Sequence, residues 1–276
     1  MDQAAAPFGR LLRHWRTLRH CSQLALALQA QVSARHLSWL ETGKAQPSRA
    51  MVLRLAEQLD VPLRERNAML AAAGYAPLYG ERPLNDPTLA TVRGALQRLL
   101  DAHEPWPAFA VDRHWHLVAH NRLVPVLMAS ASAALLQPPI NVLRLSLHPQ
   151  GLAPMVANLP AWREHVLARL QRQIVATGDP ELLRLLDELR ALPLPPACAS
   201  LASSDSSASD ETAGPLHDVA MPLTLNSPLG ALNFITTITV FGAPHDVTLA
   251  ELAVETLLPA DAATAATLRT LHASLV

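Results

Sequence analysis

The chain is poor in cysteine. Cys21 and Cys198 are the only two in 276 residues, which excludes a disulfide framework or a cysteine-rich metal site and suits a reducing cytoplasm. Aromatic residues are also scarce, at 4% of the sequence, so a core must be built mainly from Leu, Ala and Val. No apolar run reaches the roughly 18 residues of a membrane-spanning helix. The opening residues, MDQAAAPFGR, lack the apolar stretch of a signal peptide. The phosphate-cradling, dinucleotide-binding, nucleophile-elbow and zinc-protease signatures are all missing. The expectation is therefore a cytoplasmic protein without a membrane partner, without a required cofactor and without enzymatic activity.

What is present is a substantial apolar complement, 50% of residues, in a chain better suited to two modest domains than to one. Net charge is −1 but unevenly spread. Residues 1–80 carry ten basic and five acidic side chains, and residues 81–276 carry twelve and eighteen. A basic N-terminal third on an acidic body is the footprint of a polyanion partner for the first part, although a solvated basic face reads the same way.

Residues 8–73 read as five short helices. Phe8, Leu11, Leu12, Trp15 and Leu18 recur at three-and-four spacing. Ser22, Ser33 and Ser48 each stand where a helix cap is needed, and Gly74 ends the fifth helix. The Pro/Gly-rich YAPLYGERPLNDP marks the boundary, giving domains at 1–76 and 88–276 with a linker at 77–87. The second half mixes both periodicities. Helices are expected at 86–103, 121–129, 140–147, 159–177, 181–192 and 260–274, and strands at 108–112, 115–119, 219–226, 231–241 and 247–258. The Ser/Ala/Asp stretch 198–214 reads as a low-complexity mobile loop. This half is thus α+β.

Two helices joined by a short turn can place the second in the major groove. In SQLALALQAQVSARHLSWLETGK, Leu26, Ala27, Ala30, Leu37 and Leu40 face inward. Ala34, Arg35, His36, Ser38, Trp39 and Thr42 turn outward to varying degrees. This stretch, with its flanking helices, resembles the Cro/phage-repressor (XRE) family of helix-turn-helix domains over about residues 8–74. The resemblance implies double-stranded DNA as partner. It makes Gln23 a contact at the start of the second helix. It places Ala34, Arg35 and Trp39 at base-facing positions, with Ser33 and His36 nearby, and Thr42, Lys44 and Arg49 against the backbone. Trp39 reads equally as a side chain packed on the domain's own surface. Arg16 and Glu41 stand where the family has an interhelical ion pair. Two positions depart from the pattern. Gln31 occupies a turn position that is often glycine, and Leu24 and Leu28 lie on the outer side of the second helix, where another domain or subunit is expected to cover them.

In the second half, HWHLVAH offers His114, His116 and His120 as metal ligands, but no cysteine or carboxylate completes a site, and an exposed strand face explains them as well. PAFAVDRHWHLVAHNR, NVLRLSLHPQGLAPMVANLPAWREHVLARLQRQ and PLTLNSPLGALNFITTITVFGAPHDVTLAELAVETLLPADAATAATLR resemble the ligand-binding domain of the MmyB-like transcription regulators. The resemblance implies a PAS-like fold, a five-stranded antiparallel sheet with helices over one face, and a pocket for a small apolar, fatty-acid-like ligand. The lining residues expected on that fold are Phe109, Val111, Leu117, Leu127, Met128, Trp162, Val166, Phe234 and Ile235, with Arg144, Arg163, His148 and Asn121 as polar groups. Which face of strand 231–241 meets the pocket is open, because both are half apolar.

Together these readings predict a homodimeric, sequence-specific DNA-binding regulator that senses a small apolar molecule. Two alternatives stand beside it. The PAS-like half could serve dimerisation or protein interaction without a ligand, or the chain could be a small-molecule enzyme carrying a DNA-binding domain.

Overall fold

A computed structural model of the protein describes residues 7–193, 221–242 and 244–275. The chain divides into two compact units, Met1–Pro83 with Ala243–Ala250, and Leu84–Gly242 with Glu251–Val276.

The first unit holds helices α1 (Pro7–Leu18), α2 (Gln23–Gln29), α3 (Ala34–Thr42), α4 (Arg49–Gln58) and α5 (Leu63–Ala72). The serine caps work as the sequence predicts: the hydroxyls of Ser22, Ser33 and Ser48 accept the backbone N–H groups of Ala25, His36 and Met51. The helices close on one core in which Leu12, Trp15, Leu26, Leu37, Leu55 and Met69 are fully or nearly fully buried. Three helices end alike. His20, Gln31 and Asp60 adopt left-handed φ of 51°, 54° and 45°. The next residues, Cys21, Val32 and Val61, return their N–H groups to Arg16, Ala27 and Ala56. This closure satisfies orphan helix carbonyls and normally favours glycine at the left-handed position. Gln31 thus holds the conformation that its departure from the family pattern puts in question.

The first unit extends past the predicted boundary at residue 76 for a local reason. Asn67 accepts the N–H groups of Leu78 and Tyr79 and donates to the Tyr79 carbonyl, which fastens the start of the linker to α5. Residues 244–250, which the sequence reading gave to the second domain, also belong here. The Val247 N–H donates to Gly80 at 2.7 Å and the Thr248 hydroxyl to Arg82 at 2.5 Å, and Val247 is buried.

The second unit contains α6 (Ala90–Ala102), β1 (Ala108–Val111), β2 (Leu117–His120), α7 (Val124–Met128), α8 (Val142–Leu147), α9 (Leu159–Thr177), α10 (Pro180–Ala191), β3 (Pro222–Ser227), β4 (Gly230–Val240), β5 (Ala253–Pro259) and α12 (Ala262–Leu275), with the short helix α11 (Val247–Ala250) lying in the first unit's segment. Its five strands form one antiparallel sheet in the order β2-β1-β5-β4-β3. Cross-strand pairing puts Leu223, Leu225, Leu232, Phe234, Thr236, Glu255, Leu257 and Phe109 on one face. Ala108, Ala110, Val254 and Thr256 lie on the other and are buried as well, where α6 and α12 pack against the strands. Helices therefore cover both faces, not the single face the resemblance implies.

Two expected strands differ. The strand expected at 115–119 begins only at Leu117. Asp112 accepts the N–H groups of His114 and His116, closing a turn in which Trp115 takes φ 68°. The strand expected from 247 begins at Ala253, because Asp246 accepts the Thr248 N–H and starts the helical turn α11. The low-complexity stretch 198–214 lies outside the described residues. No helix among the described residues is long and apolar enough to cross a membrane.

Acid should loosen the second unit through Glu104. Its carboxylate is bonded to Arg122 and to His272 on α12, each at 2.9 Å. Burial raises its pKa, but the hydrogen bonds from Arg122 and His272 outweigh this and hold it below the ordinary value. A carboxyl depressed in the folded state stabilises above its unfolded pKa and loses that contribution as pH falls through the folded one. Thermal unfolding followed against pH should show this loss below the usual carboxylate range, and Glu104→Gln should flatten that part of the profile.

Candidate DNA-reading surface and ligand cavity

The DNA-facing residues expected from the sequence lie on or beside α3. Ala34, Arg35, Thr42, Lys44 and Arg49 are exposed, and His36 is half-buried. Trp39 remains 39% exposed, and the Arg35 guanidinium lies 4.6 Å from the centre of its ring. That stacking holds two long side chains as one planar unit on the outer face of α3. Ser33 caps the helix with its hydroxyl. Thr42 donates its hydroxyl back to Ser38 at 2.8 Å. Gln23 donates from Nε2 to Glu41 Oε2 at 2.7 Å, so its amide is anchored to the helix that carries Arg35.

Beneath this surface the Arg16–Glu41 pair is formed. Arg16 Nε and Nη2 reach the two Glu41 oxygens at 2.5 and 3.1 Å, and Glu41 is 4% exposed. Leu24 and Leu28 stand 62% and 71% exposed on the outer side of α2.

The second unit encloses about 90 Å³ of free space between the sheet and α7, α8 and α9. Phe109, Leu117, Leu127, Met128, Trp162 and Val166, all expected from the sequence, border it. The remaining expected residues are held elsewhere. Val111 and Phe234 are packed into the core, and Ile235 lies on the opposite sheet face. Asn121 is engaged in the fold, accepting from Ala108 and Leu123 and donating to Leu100 and Trp106. Arg144 pairs with Glu188 at 2.5 Å. Arg163 donates to the carbonyls of Leu189 and Arg190 at the end of α10. His148 accepts the Gln150 N–H.

The charged groups that do border the cavity are Arg169 and Glu255. Arg169 Nη1 donates to Glu255 Oε1 at 2.8 Å, both side chains are largely buried, and the guanidinium lies 4.1 Å from the centre of the Trp115 ring. Ser146 and Thr236 add hydroxyls to the lining, the former accepting from Trp162 Nε1 at 2.8 Å. Beside the pair, burial and the charges of Arg169 and Arg172 push the His165 pKa down, which keeps that imidazole neutral at pH 7. The sequence held a signal for Arg169: it falls three residues after Val166 and seven after Trp162, on the edge of the buried stripe of α9. Glu255 alternates with Leu257 on β5 and so had to share its face.

The family described as "MmyB-like transcription regulator ligand binding domain" matches residues 92–271, and a "Helix-turn-helix domain" family matches residues 7–69. The chain belongs to the MmyB-like transcription regulators. It is a DNA-binding regulator whose helix-turn-helix unit precedes an MmyB-like ligand-binding domain. No curated protein matches the chain. Among solved structures it is similar to one titled "Structure of an RNA-binding Light-Oxygen-Voltage Receptor", at 12% identity and a TM-score of 0.26, over 97% of this chain and 64% of that one.

His114, His116 and His120 are each held by a different group. His114 Nε2 lies 3.0 Å from Asp179, His116 Nδ1 lies 3.0 Å from Asp112, and His120 Nδ1 lies 3.0 Å from the Asn121 carbonyl. Among the described residues no three His, Cys, Asp or Glu side chains are grouped to hold a metal ion.

Proposed function

We propose that this MmyB-like regulator binds a two-fold symmetric operator as a homodimer through α3, and that a small apolar, fatty-acid-like ligand in the second unit changes its DNA affinity. The observation that carries the sensing half is the cavity itself, with an almost wholly apolar lining and a single buried ion pair. Such a lining with few polar groups is the usual build of a small-molecule site. The reading half rests on the exposed Arg35–Trp39 pair and the basic balance of the N-terminal third. Two-fold pairing follows from how helix-turn-helix readers address half-sites about one DNA turn apart, and exposed Leu24 and Leu28 leave an apolar strip for a subunit to cover.

Arg35 is assigned a guanine, through paired bonds to O6 and N7. Arg35→Ala should then cost about 1–3 kcal/mol at one base step and relax preference there. Selection of bound sequences from a random DNA library reads this directly. A uniform weakening on all DNA would make Arg35 a phosphate contact.

One observation favours a second reading. About 90 Å³ is small for a ligand site, since such sites usually span about 300–1,000 Å³, so the domain could act as a dimerisation or protein-interaction module with a filled core. Mass spectrometry of small molecules extracted from the native protein separates the two. A bound lipid-like compound supports the sensor, and an empty extract supports the module.

A further inference from the structure

We propose that occupancy of the cavity is relayed to the DNA-reading unit by residues 244–250, an arm that joins β4 to β5 and docks on residues 80–82. This rests on the reading of the second unit as a ligand sensor. β4 and β5 are antiparallel neighbours, with Val240 paired to Ala253. A loop of about two to five residues is enough to close such a hairpin. The chain instead ends β4 at Val240, gives 244–250 to the first unit and resumes the sheet at Ala253. The same two strands carry Thr236, Glu255 and Leu257 into the cavity wall. Thr236 is paired with Leu257, and Glu255 stands two residues along β5 from Ala253. One covalent stretch therefore ties the lining to the unit that holds α3.

The arm is held by a small set of contacts. The Val247 N–H donates to the Gly80 carbonyl, the Thr248 hydroxyl donates to the Arg82 carbonyl, and the Val247 side chain is wholly buried. Asn67 of α5 fastens Leu78 and Tyr79 next to Gly80, and α11 itself packs on α5, so a docked arm bears on the helical core. One cost opposes docking. Asp246 is 9% exposed, and its Oδ1 accepts the Thr248 N–H. Its Oδ2 is buried with no hydrogen-bond partner among the described residues. Gly80 admits that oxygen, since a Cβ there would lie 2.9 Å from it. A carboxylate oxygen left unpaired in the docked arm regains water when the arm is released. That cost narrows the gap between the two arrangements, which is what a switchable element needs. A cavity occupant that prefers one arrangement of β4 and β5 then shifts the balance by its ratio of affinities for the two.

The test measures operator affinity of the full chain with and without saturating dodecanoate, in the unmodified protein and in Val247→Asp. The substitution puts a charge into the buried seat of the arm, and Val247 lies outside the core that α1–α5 share. The unmodified protein should show a shift of about 5–150-fold. Val247→Asp should still bind the operator and dodecanoate, with a shift below about twofold. A full shift in the variant overturns the arm's role and leaves the sensor reading standing. Dodecanoate that binds the unmodified protein without any shift overturns both. If dodecanoate does not bind, the compound extracted from the native protein replaces it, and an empty extract also overturns both. If Val247→Asp does not fold, hydrogen exchange on the unmodified protein decides. The Val247 amide should change its protection by at least about fivefold when the cavity is filled, and unchanged protection overturns the arm's role.

Discussion

Glu41→Ala should remove about 3–5 kcal/mol from the first unit, a large part of the roughly 5–15 kcal/mol that holds a small domain folded. Glu41 is buried at the centre of a three-way contact. It accepts from Arg16 Nε and Nη2 and from Gln23 Nε2. Its removal strands the Arg16 guanidinium, which is itself only slightly exposed and also donates to the Cys21 carbonyl. The cost is that of an uncompensated buried cation rather than of the lost contact. Contacts among α1, α2 and α3 are broken together, so the reading helix loses its seat. Hydrogen exchange on the full chain reports each unit separately. Amides of residues 7–72 should lose protection while those of β1 and β5 keep theirs. If DNA binding falls with protection unchanged, the pair orients the surface instead of holding the fold.

Gly9→Ala should destabilise the same unit by about 1–3 kcal/mol. The sign is the informative part. Gly9 lies inside α1, where alanine would ordinarily gain about 1 kcal/mol over glycine. A Cβ built there meets the carbonyl oxygens of Glu41 and Leu40 at 2.5 and 2.6 Å. Those are backbone atoms of α3, and they cannot rotate aside as a flexible side chain can. Glycine at this position lets α1 approach α3 closely enough for Arg16 to reach Glu41 and Trp15 to be buried. Denaturant unfolding of the variant gives the sign, and a stabilised Gly9→Ala would show that the helices sit farther apart than described.

The helical unit was legible because its signals are local. A serine cap, an apolar period and a terminal glycine each act within a few residues, so α2, α3 and α4 begin where Ser22, Ser33 and Ser48 predict. The same holds for α9, whose stripe from Leu159 to Ile174 reads at one period. The hydrophobic pattern misleads where a single carboxylate redirects the backbone. Asp112 and Asp246 each close a turn inside a run that alternates like a strand, and nothing in the hydrophobic pattern marks them. The cavity's apolar wall was partly legible, because Phe109, Leu117, Trp162 and Val166 are core-like residues on predicted elements. Its ion pair was not. Arg169 and Glu255 are 86 residues apart, and only the stacking of α9 over β5 brings them together. Arg144 and Arg163, the arginines expected at the pocket, are engaged instead by Glu188 and by the end of α10.

Regulation by a ligand is the central claim, and DNA affinity as a function of cavity occupancy tests it most directly. The operator would be taken from library selection and its affinity measured by fluorescence anisotropy, with and without a saturating amount of the small molecule extracted from the native protein. A ligand that prefers one conformation must shift DNA affinity by its ratio of affinities for the two states. The expected shift is about 5–150-fold, the usual range of coupling between sites. Equal affinity in both measurements, with the cavity shown to be occupied, would contradict it.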